Sequence, residues 1–240
     1  HRLCAPGESV MSVCIASRFP VRTAVVHGLH GRAGPEGPAE VTLRGMLDAV
    51  VDTPGGPVRV IAAHWKSPRE GRAETAALRE LAAGAAARAV RSGLEKDPGA
   101  RIVVAGDLNE EVLEDSVILG RGPEAALRVV PLGTFSSAQN AGAGHPTPSP
   151  VLYSPWSELD GGSYVFRGRA TRIDHLLFSP GFFPGLAVEH AERRSGGLIY
   201  GSAHLVTDWA DDDGAPARYH AFARRGVSDH FALYAVLQRK

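Results

Sequence analysis

The sequence predicts a strand-rich α/β protein with few long helices, on three observations. Short runs of β-branched and apolar residues recur along the chain, bounded by the turn formers among its 28 Gly and 17 Pro. A single stretch combines Ala, Leu, Glu and Arg at helical spacing. Finally, 44% of the 240 residues are hydrophobic and 22% charged, the balance of a chain that buries a core. No internal repeat or linker divides it, so residues 1–240 read as one domain.

Taken in order, Val10 to Ala16 reads as a buried strand that ends at a Ser17-Arg18-Phe19-Pro20 turn. Arg22 to His27 is a second strand, and His30 to Pro38 a Gly/Pro loop. Leu43 to Val51 and Val58 to His64 are strands flanking Thr53-Pro54-Gly55-Gly56-Pro57, which makes a hairpin. Arg72 to Arg91 is the helix: Ala76, Leu78, Leu81, Ala85 and Val90 fall roughly at helical spacing, and Gly93 sits just past its end. Arg101 to Ala105 is a short apolar strand. Pro131 to Gly162, with Pro146, Pro148, Pro150 and Pro155, is a long Pro/Gly-rich loop. Strand-like runs follow at Ile173 to Ser179, Leu186 to His190 and Phe231 to Leu237.

Charge and cysteine content exclude several classes. Lys+Arg and Asp+Glu both total 26, so the broad basic excess of a non-specific nucleic-acid binder is absent. Cys4 and Cys14 are too few for a disulfide framework or a cysteine-rich zinc site. They make either one bridge or two buried thiols, and the thiol reading is preferred. No run reaches the roughly 18 apolar residues of a membrane helix; the Ala-rich stretch Ala76 to Val90 is interrupted by Arg79, Glu80 and Arg88. No transmembrane segment is expected and no signal peptide is visible, but the chain opens with His1 rather than Met, and the expectation is that an upstream part has been removed.

At four places an apolar strand carries polar residues at one end. They are His64-Trp65-Lys66-Ser67, Gly106-Asp107-Leu108-Asn109, Arg172-Ile173-Asp174-His175 and Ser228-Asp229-His230. Side chains two apart on an extended chain share a side, so Asp107 and Asn109 point into one space. A carboxylate beside a carboxamide suits a hard cation, a water nucleophile or a phosphoryl oxygen. Each segment alone is ordinary: Asp-Leu-Asn is a common turn, and a lone Asp-His dipeptide carries little. A calcium loop starting at Asp107 fails, because Val112 stands where Gly is needed and Ile118 where Glu is needed.

Together and in this order, the four segments resemble the endonuclease/exonuclease/phosphatase (DNase I-like) superfamily. His64 to Ser67 is similar to its His-x-x-Ser strand end, and Gly106 to Asn109 to its Gly-Asp-x-Asn motif. Ile173-Asp174 is similar to its Ile-Asp strand, and Ser228 to His230 to its Ser-Asp-His. Trp65 and the run from Gly162-Ser163-Tyr164 through Gly168 to Asp174 resemble a bacterial branch with His-Trp-Lys-Ser at the first motif. The resemblance extends from about Val10 to the C-terminus.

The resemblance implies a four-layer αββα sandwich and a hydrolase that attacks phosphate esters with water, assisted by Mg²⁺ or Mn²⁺. Carried over by motif, Asp107 orients or deprotonates the water, and Asn109 holds the water or a phosphoryl oxygen. His230 contacts the phosphate, Asp174 fixes its imidazole, and Asp229 serves the metal. His64 donates to a phosphate oxygen or assists the leaving group, and Lys66 contacts substrate. The family's metal-binding Glu, in a Leu-Gln-Glu strand end preceded by an Asn on the first strand, has no counterpart here. Glu8 lacks the strand context. The expectation is a domain lacking its N-terminal strand or strands.

Phosphodiester hydrolysis is the first reading, with nucleases among the candidates. The alternative is a non-catalytic or truncated relative that binds a phosphorylated ligand without turnover. The partner is a phosphate-ester substrate, with nucleic acid among the candidates; a monomer is expected, and a soluble, secreted or periplasmic location fits. Asp208, Asp211, Asp212 and Asp213 read as a solvated loop, and His27 and His30 as surface loop without the further ligands of a zinc site. Neither a Gly-x-Ser-x-Gly elbow nor a phosphate-binding Walker loop occurs.

Overall fold

The computed structural model describes residues 1–5, 12–31, 41–113, 115–131, 150–183, 197–218, 226 and 228–239. Its strands are β1 (Arg2–Cys4), β2 (Cys14–Ala16), β3 (Val21–Gly31), β4 (Val41–Thr53), β5 (Gly56–Ala62), β6 (Ile102–Asp107) and β7 (Leu119–Gly120). They continue with β8 (Leu127–Val130), β9 (Val151–Tyr153), β10 (Tyr164–Phe166), β11 (Arg169–Thr171), β12 (Asp174–Phe178), β13 (Leu198–Val206) and β14 (Ala232–Arg239). One α-helix, α1 (Ala76–Lys96), joins β5 to β6.

Eight strands form one sheet in the order β3-β4-β5-β6-β12-β9-β8-β7. The β3–β4–β5 meander is antiparallel, and β6 lies parallel to β5 and antiparallel to β12. The β5–α1–β6 crossover puts the helix on one face. There Ala82, Ala83, Ala86 and Val90 pack on Ile61, Ile102, Val104, Leu127 and Leu177. Alanines let the helix approach closely, which buries most of its circumference. The opposite face buries Val103, Tyr153, Phe178, Phe182 and Phe183, with Leu198, Tyr200, Ala235 and Leu237 of the antiparallel β13–β14 pair against them. Helix, large sheet and second sheet are thus three layers of the expected sandwich among the described residues. No helix there is long and apolar enough to cross a membrane.

Several expectations need correction. Cys4 and Cys14 are not thiols: they are cross-strand partners on β1 and β2 and form a disulfide. The helix does not stop before Gly93. A Cβ at Gly93 would fall 2.6 Å from Ile102 Cδ1 and from Arg59 Nη1, so this glycine lets α1 cross the sheet. Within Pro131 to Gly162, Val151–Tyr153 is a wholly buried central strand between β8 and β12. Three residues between prolines are too few to show a period, which is why that stretch reads as loop. Leu127–Val130 and Leu198–Val206 are further strands that the sequence reading missed. The Val10 to Ala16 strand is described only from Cys14 to Ala16. Leu186 to His190, Glu8, residues 32–40 and residues 132–149 lie outside the described residues.

Other readings hold. The Ser17 hydroxyl accepts from Phe19 N at 3.0 Å, closing the Ser-Arg-Phe-Pro turn. Asp211 folds its own loop by accepting from Asp213 N and Ala215 N. His27 and His30, in contrast, are not in a loop: both lie in β3, paired with Met46 and Thr42 of β4, and bond to the side chains of Asp48 and Thr42.

Candidate active site

The centre of the site is set by sheet register. Asp174, the first residue of β12, pairs directly with Asp107, the last of β6. Directly opposed residues of an antiparallel pair project from the same face. The third member, His230, follows the Ser228-Asp229 corner and bridges to Tyr164 of β10. Its Nδ1–H donates to Asp174 Oδ2 at 2.7 Å. Side-chain atoms of Asp107, Asp174 and His230 all lie within 4.8 Å of one another. Gly106 is required by this packing: its φ is 132°, and a Cβ there would come within 2.0 Å of the Ala63 carbonyl.

His64 arrives from the other neighbour of β6. The parallel β5–β6 ladder continues past Ala62 through Ala63 N to Ala105 O and Trp65 N to Asp107 O, at 2.9 and 3.0 Å. His64 is therefore level with Asp107, its Nε2 3.4 Å from Asp107 Oδ2. Burial, with the nearby charges of Arg44 and His230, pulls the His64 imidazole down to about 4. Burial and the Asp174 charge push the Asp107 carboxyl up to about 6. At neutral pH the contact is a neutral imidazole against a carboxylate, not an ion pair. For His230, burial pulls downward. The Asp174 hydrogen bond and the charges of Asp174, Asp107 and Asp229 outweigh it and hold the imidazole above its ordinary value.

Asn109 is brought to the site but is largely committed. Its backbone N–H donates to Asp107 Oδ1 at 2.9 Å, and its buried Nδ2 donates to Trp65 O at 3.1 Å. It adopts φ 51°, a left-handed conformation that asparagine tolerates. Lys66 is engaged elsewhere, its Nζ 2.6 Å from Glu70 Oε1. Asp229 is outside the close cluster: it is 40% exposed, and its Oδ2 faces Arg218 at 3.3 Å.

The sequence reading missed five residues around this centre. Glu110 is buried and bonded to Arg79, and accepts from Arg72 Nη1 at 2.6 Å. Arg79, fully buried in α1, also donates to Thr75 Oγ1 and the Arg72 carbonyl. His175 Nε2 meets the Glu110 carbonyl at 2.8 Å. This network clamps the chain just after Asn109. Arg44 comes from a bulge in β4: His27 pairs with Met46 and Leu29 with Leu43, so Arg44 and Gly45 together oppose Gly28. The extra residue reverses side-chain parity, and the Arg44 charge acts on both His64 and Asp107. Ser163, fully buried, accepts from Asp174 N through its hydroxyl and from Phe231 N through its carbonyl. No sequence pattern marks these contacts; an arginine inside an Ala-rich helix was the one available sign.

Residues 38–239 match the model of the endonuclease/exonuclease/phosphatase family. The chain belongs to that family. Solved structures share its fold at low identity. A humanized D. rerio TDP2 aligns with a TM-score of 0.53 at 13% identity, over 99% of this chain and 76% of that one. A truncated Caenorhabditis elegans TDP2 gives 0.53 at 15%, over 97% and 73%. An endonuclease/exonuclease/phosphatase protein of Beutenbergia cavernae gives 0.50 at 20%, over 92% and 46%. No curated protein matches the sequence at a significant level.

Family membership gives the cluster a chemical context, since its name covers enzymes that cleave phosphoesters. Asp107 and Asp174, whose carboxylate oxygens lie within 4.8 Å of each other and of a ring nitrogen of His230, form an oxygen donor pair that fits a hard divalent cation. Burial, with the Asp174 charge beside it, raises the Asp107 pKa, a penalty on the anion that a bound cation would relieve.

Proposed function

We propose that this chain is a divalent-metal-dependent phosphoesterase that hydrolyses phosphodiesters by water attack. The observation that carries the reading is the Asp174–His230 bond at 2.7 Å on the same face as Asp107. Asp107 and Asp174 would hold Mg²⁺ or Mn²⁺; Asp229 stays a candidate ligand on the family resemblance. The cation, when bound, neutralises charge on the phosphate and on the developing leaving oxygen.

The chain's own residues divide the remaining work. Asp107, held by the Asn109 N–H, orients the water and takes its proton. His230, whose protonated form Asp174 favours, donates to a phosphate oxygen. His64 is neutral, so it can donate a hydrogen bond to the phosphoryl group without adding charge. Arg44 supplies a fixed positive charge on the same side. Asn109 Oδ1 is the atom of that residue left to face the water.

Nucleic acid is a candidate substrate; a D. rerio TDP2 of the same fold has been solved with a single-stranded DNA product. The Cys4–Cys14 disulfide supports an oxidising location, secreted or periplasmic. The test is hydrolysis of bis-p-nitrophenyl phosphate and plasmid DNA with Mg²⁺, with Mn²⁺ and with EDTA, alongside Asp107→Ala. Metal-dependent turnover that the variant loses establishes the reading. A folded chain without turnover under every condition overturns it in favour of ligand binding alone.

A further inference from the structure

We propose that the β10–β11 hairpin is a stacking platform for an unpaired nucleobase, which makes single-stranded nucleic acid the substrate class. The inference rests on the phosphoesterase reading, because the platform begins at the imidazole assigned there to the phosphate.

The hairpin is built into the site. Ser163, at its root, accepts from Asp174 N at 3.2 Å and from Phe231 N at 2.7 Å. Both members of the Asp174–His230 pair are therefore tied to the same residue or its neighbour. Tyr164 lies against His230, with ring centroids 4.8 Å apart. Phe166, two residues on, presents its ring parallel to that of Tyr164, at 8° and 6.4 Å. The two-residue repeat of a strand, about 6.6 Å, sets that spacing. Imidazole, phenol and phenyl rings thus run outward in a row from the reacting centre.

The outer end of the row is open. Phe166 is 56% exposed, so it contributes little to any core. Its ring already accepts one planar group, the Arg167 guanidinium at 5.2 Å. Arg167 occupies the first position of a two-residue turn, with φ 51°, and Gly168 the second, with φ 75°. Positive φ at both positions defines the type I′ turn, where Asn or Gly is favoured first. An arginine there is held against backbone preference, which points to a use for its charge.

The remaining residues of that face agree. Register places Arg169 opposite Phe166 and Thr171 opposite Tyr164, on the face that carries the rings. Arg169 is 80% exposed, with Glu111 Oε2 at 3.9 Å as its acidic neighbour. From Tyr164 to Arg172 the sequence has no Asp or Glu. Aromatic rings flanked by exposed arginines are what single-stranded nucleic acid requires: a π-face for the base and cations for the adjoining phosphates. Neutral overall charge is compatible with this, because the cations are local.

The test is binding by the full chain in EDTA, read by fluorescence anisotropy. Labelled oligo(dT) and oligo(rU) are compared with abasic strands of the same backbone and length. The expected result is base-containing strands binding about tenfold tighter than abasic ones in at least one sugar series, and that series identifies the strand. Phe166→Ala brings the ratio close to one, and Phe166→Trp preserves it. Phe166→Val, with high strand propensity, replaces the alanine variant if the latter fails to fold. Arg167→Ala weakens base-containing and abasic strands alike and lowers the salt dependence of binding. Equal affinity for base-containing and abasic strands in both series overturns the proposal, as does a ratio that survives Phe166→Ala and Phe166→Val. Base discrimination without metal-dependent hydrolysis would defeat the phosphoesterase reading alone; hydrolysis without base discrimination would defeat the platform alone.

Discussion

Asp107 and Asp174 are direct register partners across the β6–β12 ladder, so the fold forces two carboxylates onto one face at the ends of two central strands. Like charges this close are unfavourable without compensation. Asp174 is compensated by His230, at 2.7 Å. Asp107 is not: its nearest imidazole, His64, is held neutral by burial and by the Arg44 and His230 charges. The site is therefore asymmetric, with one satisfied carboxylate and one that its surroundings disfavour as an anion.

That asymmetry gives a stability prediction for the metal-free protein. The folded pKa of Asp107 is raised from 3.8 to about 6. Its contribution is thus fully present below about pH 4 and is lost as pH rises through about 6. At pH 8 in EDTA, Asp107→Asn is expected to be more stable than the parent by about 1–3 kcal/mol, and at pH 4 by little. Urea melts at the two pH values check this. A variant less stable at pH 8 than at pH 4, relative to the parent, would mean that the carboxylate is not under electrostatic penalty.

Cation binding is expected to act on the same penalty. Mg²⁺ or Mn²⁺ at about 100 times its dissociation constant should stabilise the parent by about 2.7 kcal/mol, which for a chain of this size is a rise of roughly 5–10 °C in Tm. Asp107→Asn should lose most of that rise. Differential scanning fluorimetry with and without each metal reads it, and an equal rise in both proteins would place the ion elsewhere.

Arg79 and Glu110 are the buried pair behind the site. Removing Arg79 leaves the buried Glu110 with only the half-exposed Arg72 as its cation, at a cost of up to about 3–5 kcal/mol. Arg79→Ala should therefore lower the urea midpoint sharply. The double variant Arg79→Met, Glu110→Leu should recover much of the loss, because neither charge then remains. Activity should not recover with it, since Arg72, Arg79 and His175 together hold the segment that carries Asn109.

Much of this was legible in the sequence because it is local. The strand ends at His64, Asp107, Asp174 and His230 combine an apolar run with polar residues at fixed spacing, and their order along the chain is distinctive. The contacts that were not legible are those set by register and burial. Val151–Tyr153 is too short to show a period, although it pairs in the middle of the sheet. Gly93 looks like a helix stop, but the helix continues because Ile102 packs where its side chain would be. Arg79 looks like a solvent-facing break in an apolar stripe, yet it is fully buried, because Glu110 arrives from residues remote in sequence.

Arg44 is the residue least accessible to sequence reasoning, and its role follows from one extra residue in a strand. Without the bulge it would share the parity of Met46, which packs on the helix side. With Arg44 and Gly45 together opposing Gly28, it turns to the face of His64 and Asp107. Gly45 fits the bulge because a Cβ there would fall 2.9 Å from Val26 Cγ1 and 3.2 Å from the His27 carbonyl. A charged donor to a phosphate contributes about 1.5–3 kcal/mol, so Arg44→Gln should lower kcat/KM by roughly 10- to 100-fold with little change in stability. Arg44→Lys should recover part of this, keeping the charge but not the forked donor geometry. Removing the charge also withdraws one of the influences that depress His64. In EDTA, where no cation intervenes, the His64 imidazole of Arg44→Gln should titrate at higher pH than in the parent, as followed by NMR. Unchanged titration together with unchanged kcat/KM would show that the bulge aims Arg44 away from the reacting centre.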